Sequence, residues 1–180
     1  MNEFQLIRRQ LALEREHLAA VAQACAQALQ AAARPPAPGL PLAQFQQACA
    51  EYLACILGWY AARDQRLAAL ASGLGSEDPR CVTVHEILAR SGDSAGAQAL
   101  LAAAGGSAAG WPPLLKFLSG PWSARRDALE NLLANDARVS DWRLIGGIDA
   151  DGMLEERTRF ARVAALLPAS VSLAAPTRAA

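Results

Sequence analysis

Apolar residues recur at alternating three- and four-residue steps from the start of the chain: Phe4, Ile7, Leu11, Leu18, Val21, Cys25 and Ala28 share one stripe. That period is helical, and it predicts a first long helix reaching about Ala33. Arg34-Pro35-Pro36-Ala37-Pro38-Gly39 stops it, because proline lacks the amide donor and its ring clashes with the preceding turn. Pro41 suits the first position of a second helix, in which Leu42, Phe45, Cys49, Tyr52, Ile56, Trp59, Leu67 and Leu70 keep the rhythm as far as Gly73. The short connection makes these two helices antiparallel, with position i facing roughly 75 minus i.

The middle of the chain is less regular. Asp78-Pro79 predicts the cap and first turn of a helix through Arg90, Ser91-Gly92-Asp93-Ser94 breaks it, and a short helix follows over Ala95 to Ala104. Gly105-Gly106-Ser107 and Gly110 read as a loop closed by Trp111 and Pro112. A third long helix begins near Pro113, carries Leu114, Leu115, Leu118, Trp122, Arg125, Leu129 and Leu132, and is kinked at Gly120-Pro121. A fourth runs from Ser140 or Asp141 to Leu167 with Trp142, Ile145, Met153, Phe160 and Val163, until Pro168 ends it. No stretch alternates as a strand does. The pattern therefore predicts an all-α, up-down four-helix bundle of long helices over residues 1–167, with one or two short extra helices in the crossover and a frayed tail over 168–180.

Composition sharpens this picture. Ala supplies 42 of the 180 residues, and 53% of the chain is hydrophobic against 19% charged, which favours helix and excludes disorder for most of it. Lys and Arg number 17 and so do Asp and Glu, so no basic surplus is available for phosphates and nucleic acid is not expected as a partner. Lys116 is the one lysine among them. The first residues lack the basic region, apolar run and cleavage site of a secretory signal, and no apolar stretch is long enough to span a membrane, so a cytoplasmic protein is expected. Cys25, Cys49, Cys55 and Cys81 show neither Cys-x-x-Cys spacing nor a nearby zinc-finger His; in a reducing compartment they read as small buried hydrophobes. Cys25 and Cys49 fall opposite one another in the hairpin register, as two packed thiols and not a disulfide.

Chemistry has few places to reside. His17 and His85 are the two histidines; no phosphate-binding glycine loop and no nucleophile elbow is present. Glu14-x-x-His17 has the spacing with which helices present metal ligands to a bundle core, yet no second such pair exists. Glu14 interrupts the apolar stripe between Leu11 and Leu18, Arg63 that between Trp59 and Leu67, and Arg125 that between Trp122 and Leu129; Asp149 and Glu156 do the same on the last helix. Buried charges require partners, and the register places Glu14 near Arg63 and Tyr60, and Arg125 opposite Asp149 to Gly152.

Long helices, Glu14 and His17 on the first, Trp59 and Arg63 four apart on the second, and Asp141-Trp142 opening the last together resemble the hemerythrin-like bundle. The resemblance covers most of residues 4 to 167 and implies inward His and carboxylate side chains from four helices binding two iron ions. This chain departs from it: Trp59 and Arg63 stand where the family has a His-x-x-x-Glu pair, and only His17 matches as a ligand. The resemblance thus implies a bundle whose metal site has given way to aromatic packing and ion pairs, with no cofactor. The function expected is non-catalytic, through protein interaction or a homo-oligomer, since the mean hydropathy is positive at +0.12. Two other readings remain open: a metal- or small-ligand-binding bundle whose pocket is lined by Glu14, His17, Trp59 and Tyr60, and an export or assembly chaperone receiving a partner helix.

Overall fold

The computed structural model describes residues 3–32, 42–106, 108–135, 146, 150–168 and 171–173. Among them every regular element is helical. The two long amphipathic patterns form α1, Glu3–Ala32, and α2, Leu42–Gly73. The middle forms α3, Arg80–Ala89, and α4, Ser94–Gly106, followed by a single 3₁₀ turn, Ala108–Gly110. A continuous rod comes next, made of α5, Trp111–Phe117, a π-helical turn, Leu118–Trp122, and α6, Ser123–Asn135. The last helix, α7, is Ala150–Ala165.

Local chemistry explains the boundaries. Asp78 starts α3, its Oδ1 accepting the backbone N–H of Arg80 at 2.9 Å. Asp93, inside the breaker run, caps α4 by accepting the N–H of Gly96 at 2.9 Å. Pro112 and Pro113 open α5, where a missing amide costs nothing. The kink expected at Gly120-Pro121 takes the form of the π turn, which widens the helix where Pro121 would otherwise collide with the preceding carbonyls. Gly92 has φ of +99°, and a Cβ there would lie 2.2 Å from the Pro121 carbonyl oxygen, so the α3–α4 loop packs directly on the π turn.

Contacts fix the direction of each helix. Glu14 pairs with Arg63 across α1 and α2, which run antiparallel. Tyr60 meets Trp122 and Asp64 meets Arg126, so the rod runs parallel to α2 and not opposite to it. Its return leg is α4, which starts beside Asp64 and places Ala97, Leu101 and Ala104 in the main core. The short helix expected over Ala95 to Ala104 is α4, and it is a core element of the fold as well as a connection. Its Ala-rich surface lets it approach α2 closely enough to share the core, which burial favours over a place on the rim.

Two apolar clusters fill the interior. The larger includes Leu18, Val21, Phe45, Tyr52, Leu53, Ile56, Leu57, Leu114, Trp122 and Val163; the smaller joins Leu11, Leu67, Val84, Ile87, Leu129 and Leu132. Val171 is buried in the larger one, and Ser172 N–H donates to the Gln27 side chain at 3.4 Å. The frayed tail expected from residue 168 is thus corrected at 171–173, where an apolar residue folds back after Pro168 to cover α1. The expected start of the last helix, with Ser140, Asp141, Trp142 and Ile145, lies outside the described residues; Gly146 is helical. No described helix is long and apolar enough to cross a membrane.

Candidate functional site

Between the two apolar clusters lies a seam of buried charge, set there by residues that interrupt the apolar stripes. Glu14 is fully buried and Arg63 nearly so. Arg63 donates from Nη1 and Nη2 to the two Glu14 oxygens at 2.7 and 3.3 Å, and Gln10 Nε2 adds a third bond at 3.1 Å. Burial alone would pull the Arg63 pKa down, but the Glu14 carboxylate outweighs it and holds the guanidinium above its ordinary value. The Arg63 guanidinium carbon also sits 4.6 Å from the Tyr60 ring centroid, a cation–π contact.

Asp64 is a second hub, and its neighbour Arg63 masks it in the sequence. One oxygen accepts the backbone N–H and the hydroxyl of Ser94 at 3.0 and 2.8 Å; the other accepts Arg126 Nη2 at 2.7 Å. Burial opposes ionisation here, but Arg126 and Ser94 hold the Asp64 carboxyl below its usual range. Arg126, 1% exposed, lies with its guanidinium carbon 5.1 Å from the Tyr60 ring and 5.6 Å from the Trp122 ring. The two rings meet edge to face at 5.0 Å. Arg125 donates to the Leu88 and Arg90 carbonyls at 3.0 and 2.7 Å, at the negative end of α3, and stands 3.7 Å from Asp64. Asp149, its expected partner, lies outside the described residues. Arg126 and Asp64 were missed because stripe counting assigns one inward position per turn, whereas the wider turn at Pro121 lets two successive arginines face inward.

A third group joins α1, α2 and α7. His17 Nδ1 is 2.6 Å from Glu156 Oε1, and the Tyr52 hydroxyl donates to the same oxygen at 3.1 Å. The imidazole tautomer sets which of His17 and Glu156 donates in that bond. The His17 ring stacks on Phe160 at 3.9 Å. Burial and Glu156 push the Tyr52 phenol above its ordinary value, so it stays a donor. Among the described residues no hydroxyl or thiol is hydrogen-bonded to the His17 imidazole; the thiol–imidazole contact is that of Cys81 with His85, Sγ to Nδ1 at 3.6 Å on the surface of α3.

These partners separate the two residues of the Glu14-x-x-His17 motif: Glu14 faces α2 and His17 faces α7. Among the described residues no group of three His, Cys, Asp or Glu side chains is placed to hold a metal ion. With Arg63 on Glu14 and Trp59 half-buried against the core, the side chains do not fit the two-iron centre that the resemblance implies. Tyr60 belongs to the larger core cluster, and Trp59 packs half-buried against it.

An opening with a volume near 670 Å³ lies elsewhere, between α1 and the rod. Ala12, Ala19, Ala22 and Ala26 form one wall; Leu115, Leu118 and Trp122 form the other. Arg15 bridges the groove to Asp127 and, at 2.8 Å, to Glu130. Comparison of the chain with protein-family models, curated proteins and solved structures finds no match. What fold and site define is a class: an all-helical protein with a charged inner seam and an open, alanine-walled groove.

Proposed function

We propose that this chain is a non-catalytic helical-bundle protein that acts through protein contact, its first partner being a second copy of itself. Its outline is read as hemerythrin-like without a di-iron site: an up-down bundle of four long helices to which α4 adds a leg. Four free thiols suit the reducing cytoplasm.

The observation that carries this reading is the match between the groove and the outer face of α7. The groove walls are small and apolar, so a helix can approach closely. Because Arg15 pairs with α6, the groove has Glu16 and Glu130 toward one end and Lys116 toward the other. The outer face of α7 carries Leu154, 65% exposed, with Asp151 and Glu155 near its start and Arg162 in its last turn. Laid into a second copy's groove, its acidic start, with Asp151, meets Lys116 and its basic end meets Glu16, while Glu155, Arg162 and Glu130 are already held within the chain by Arg159, Glu51 and Arg15. Groove and ridge are different surfaces, so the contact is head-to-tail and yields rings or open chains.

Sedimentation from low to several hundred micromolar tests it. The expected result is a mass that rises with concentration, and a return to monomer for both Ala19→Glu and Leu154→Lys. A wild-type monomer throughout, or oligomers indifferent to both substitutions, would overturn the reading.

A further inference from the structure

The charged seam is not balanced. Arg63, Arg125 and Arg126 are each at least 96% buried, and among the described residues the carboxylates that contact them are two, Glu14 and Asp64. Glu130, one turn beyond Arg126, is half-turned to solvent and bound by Arg15. The carbonyl end of α3 offsets part of the charge on Arg125 but reaches neither of the others. Donors are also left over. Arg126 Nε and Nη1, Arg63 Nε, Arg125 Nε, Trp122 Nε1 and the Tyr60 hydroxyl are buried without a hydrogen-bond partner. Apart from Glu156 Oε2 these unpartnered atoms are donors, and those of Arg63, Arg126, Tyr60 and Trp122 gather around the Tyr60–Trp122 edge, where the described charges sum to a positive value. Buried donors without acceptors and buried charge without counter-charge are both costly, and a single group can relieve both.

We propose that a halide-sized monovalent anion binds inside the bundle between Arg126 and Trp122, accepting from one of the free Arg126 nitrogens and from Trp122 Nε1. A monoatomic anion fits because the two unpartnered Arg126 nitrogens, Nε and Nη1, leave different edges of the guanidinium and offer single donors, not a matched pair for a carboxylate or phosphate. It fits better than water because it carries the missing charge. Entry is short, since Trp122 also forms part of the groove wall. The assignment is independent of what fills the groove.

Thermal unfolding at constant ionic strength, with chloride exchanged for the bulky anion gluconate, reads the site directly. Binding to the native state alone raises the midpoint in a saturable way. Trp122→Phe removes one donor and should raise the half-saturating chloride concentration about tenfold. Arg126→Lys keeps a charge for Asp64 but loses the free nitrogens, and should abolish the chloride effect. Equal midpoints in chloride and gluconate, or a wild-type dependence retained in both variants, would overturn the proposal. Crystals grown in bromide provide a check that needs no variant: an anomalous peak beside Arg126 and Trp122 supports the site, and water at both donors refutes it.

Discussion

Arg63 on α2 grips both carboxylate oxygens of Glu14 on α1, at 2.7 and 3.3 Å, where neither side chain reaches solvent. Such a pair is costly to break and inexpensive to replace. Glu14→Leu or Arg63→Met alone should cost about 3 to 5 kcal/mol, because each leaves an uncompensated buried charge, and the double variant should recover much of that loss. Denaturant titration of the four proteins in the cycle measures this, and additive losses would contradict it.

Asp64→Asn should weaken two elements at once. It removes the charged acceptor for Ser94 at the start of α4 and the counter-charge for Arg126. A loss of about 3 kcal/mol is expected from the buried pair. Hydrogen exchange should rise first over the opening turn of α4; a uniform rise along the chain would show that Asp64 does not act as that helix's anchor.

Asp64 also sets an acid limit. Its folded pKa is held below the unfolded value of about 3.9, so its contribution is fully present above that pH and is lost as pH falls through the lower folded value. Unfolding midpoints should therefore fall below pH 4 more steeply for the wild type than for Asp64→Asn. Parallel profiles would remove Asp64 from the account.

Gly92→Ala should destabilise by at least about 2 kcal/mol, since φ of +99° disfavours any side chain and its Cβ would overlap the Pro121 carbonyl. Calorimetry would register this as a large fall in midpoint. A midpoint near that of the wild type would mean that the loop can leave the π turn without penalty.

The thiols should separate by reactivity. Cys25 and Cys49 are buried together, and the Cys49 thiol is pushed up by its hydrogen bond with Cys25 and by burial, so both should react only on unfolding. Burial and the neighbouring Glu155 push the half-buried Cys55 up to about 11, so at pH 8 it should be alkylated slowly. Mass spectrometry of protein briefly treated with iodoacetamide should find Cys81 labelled first; early labelling of Cys25 or Cys49 would show that the α1–α2 seam opens readily.

Helix content and the α1–α2 hairpin were legible in the sequence because both rest on local rules. The 3.6-residue period marks which face is buried, proline marks where each helix stops, and a short connection leaves two long helices only the antiparallel choice. Glu14 and Arg63 could be paired for the same reason: each breaks an apolar stripe, and the hairpin register brings them level. Register arithmetic fails once the chain leaves a single hairpin. Whether α4 lies on the rim or in the core depends on how closely its alanines let it approach α2, and the direction of the rod follows from that. The inward turn of Arg126 depends on one residue of helical phase gained at Pro121. His17 meets Glu156 across 139 positions, a separation over which no periodicity carries information. Helices and their faces are set by neighbours along the chain, whereas the partners of buried charges are set by which faces meet.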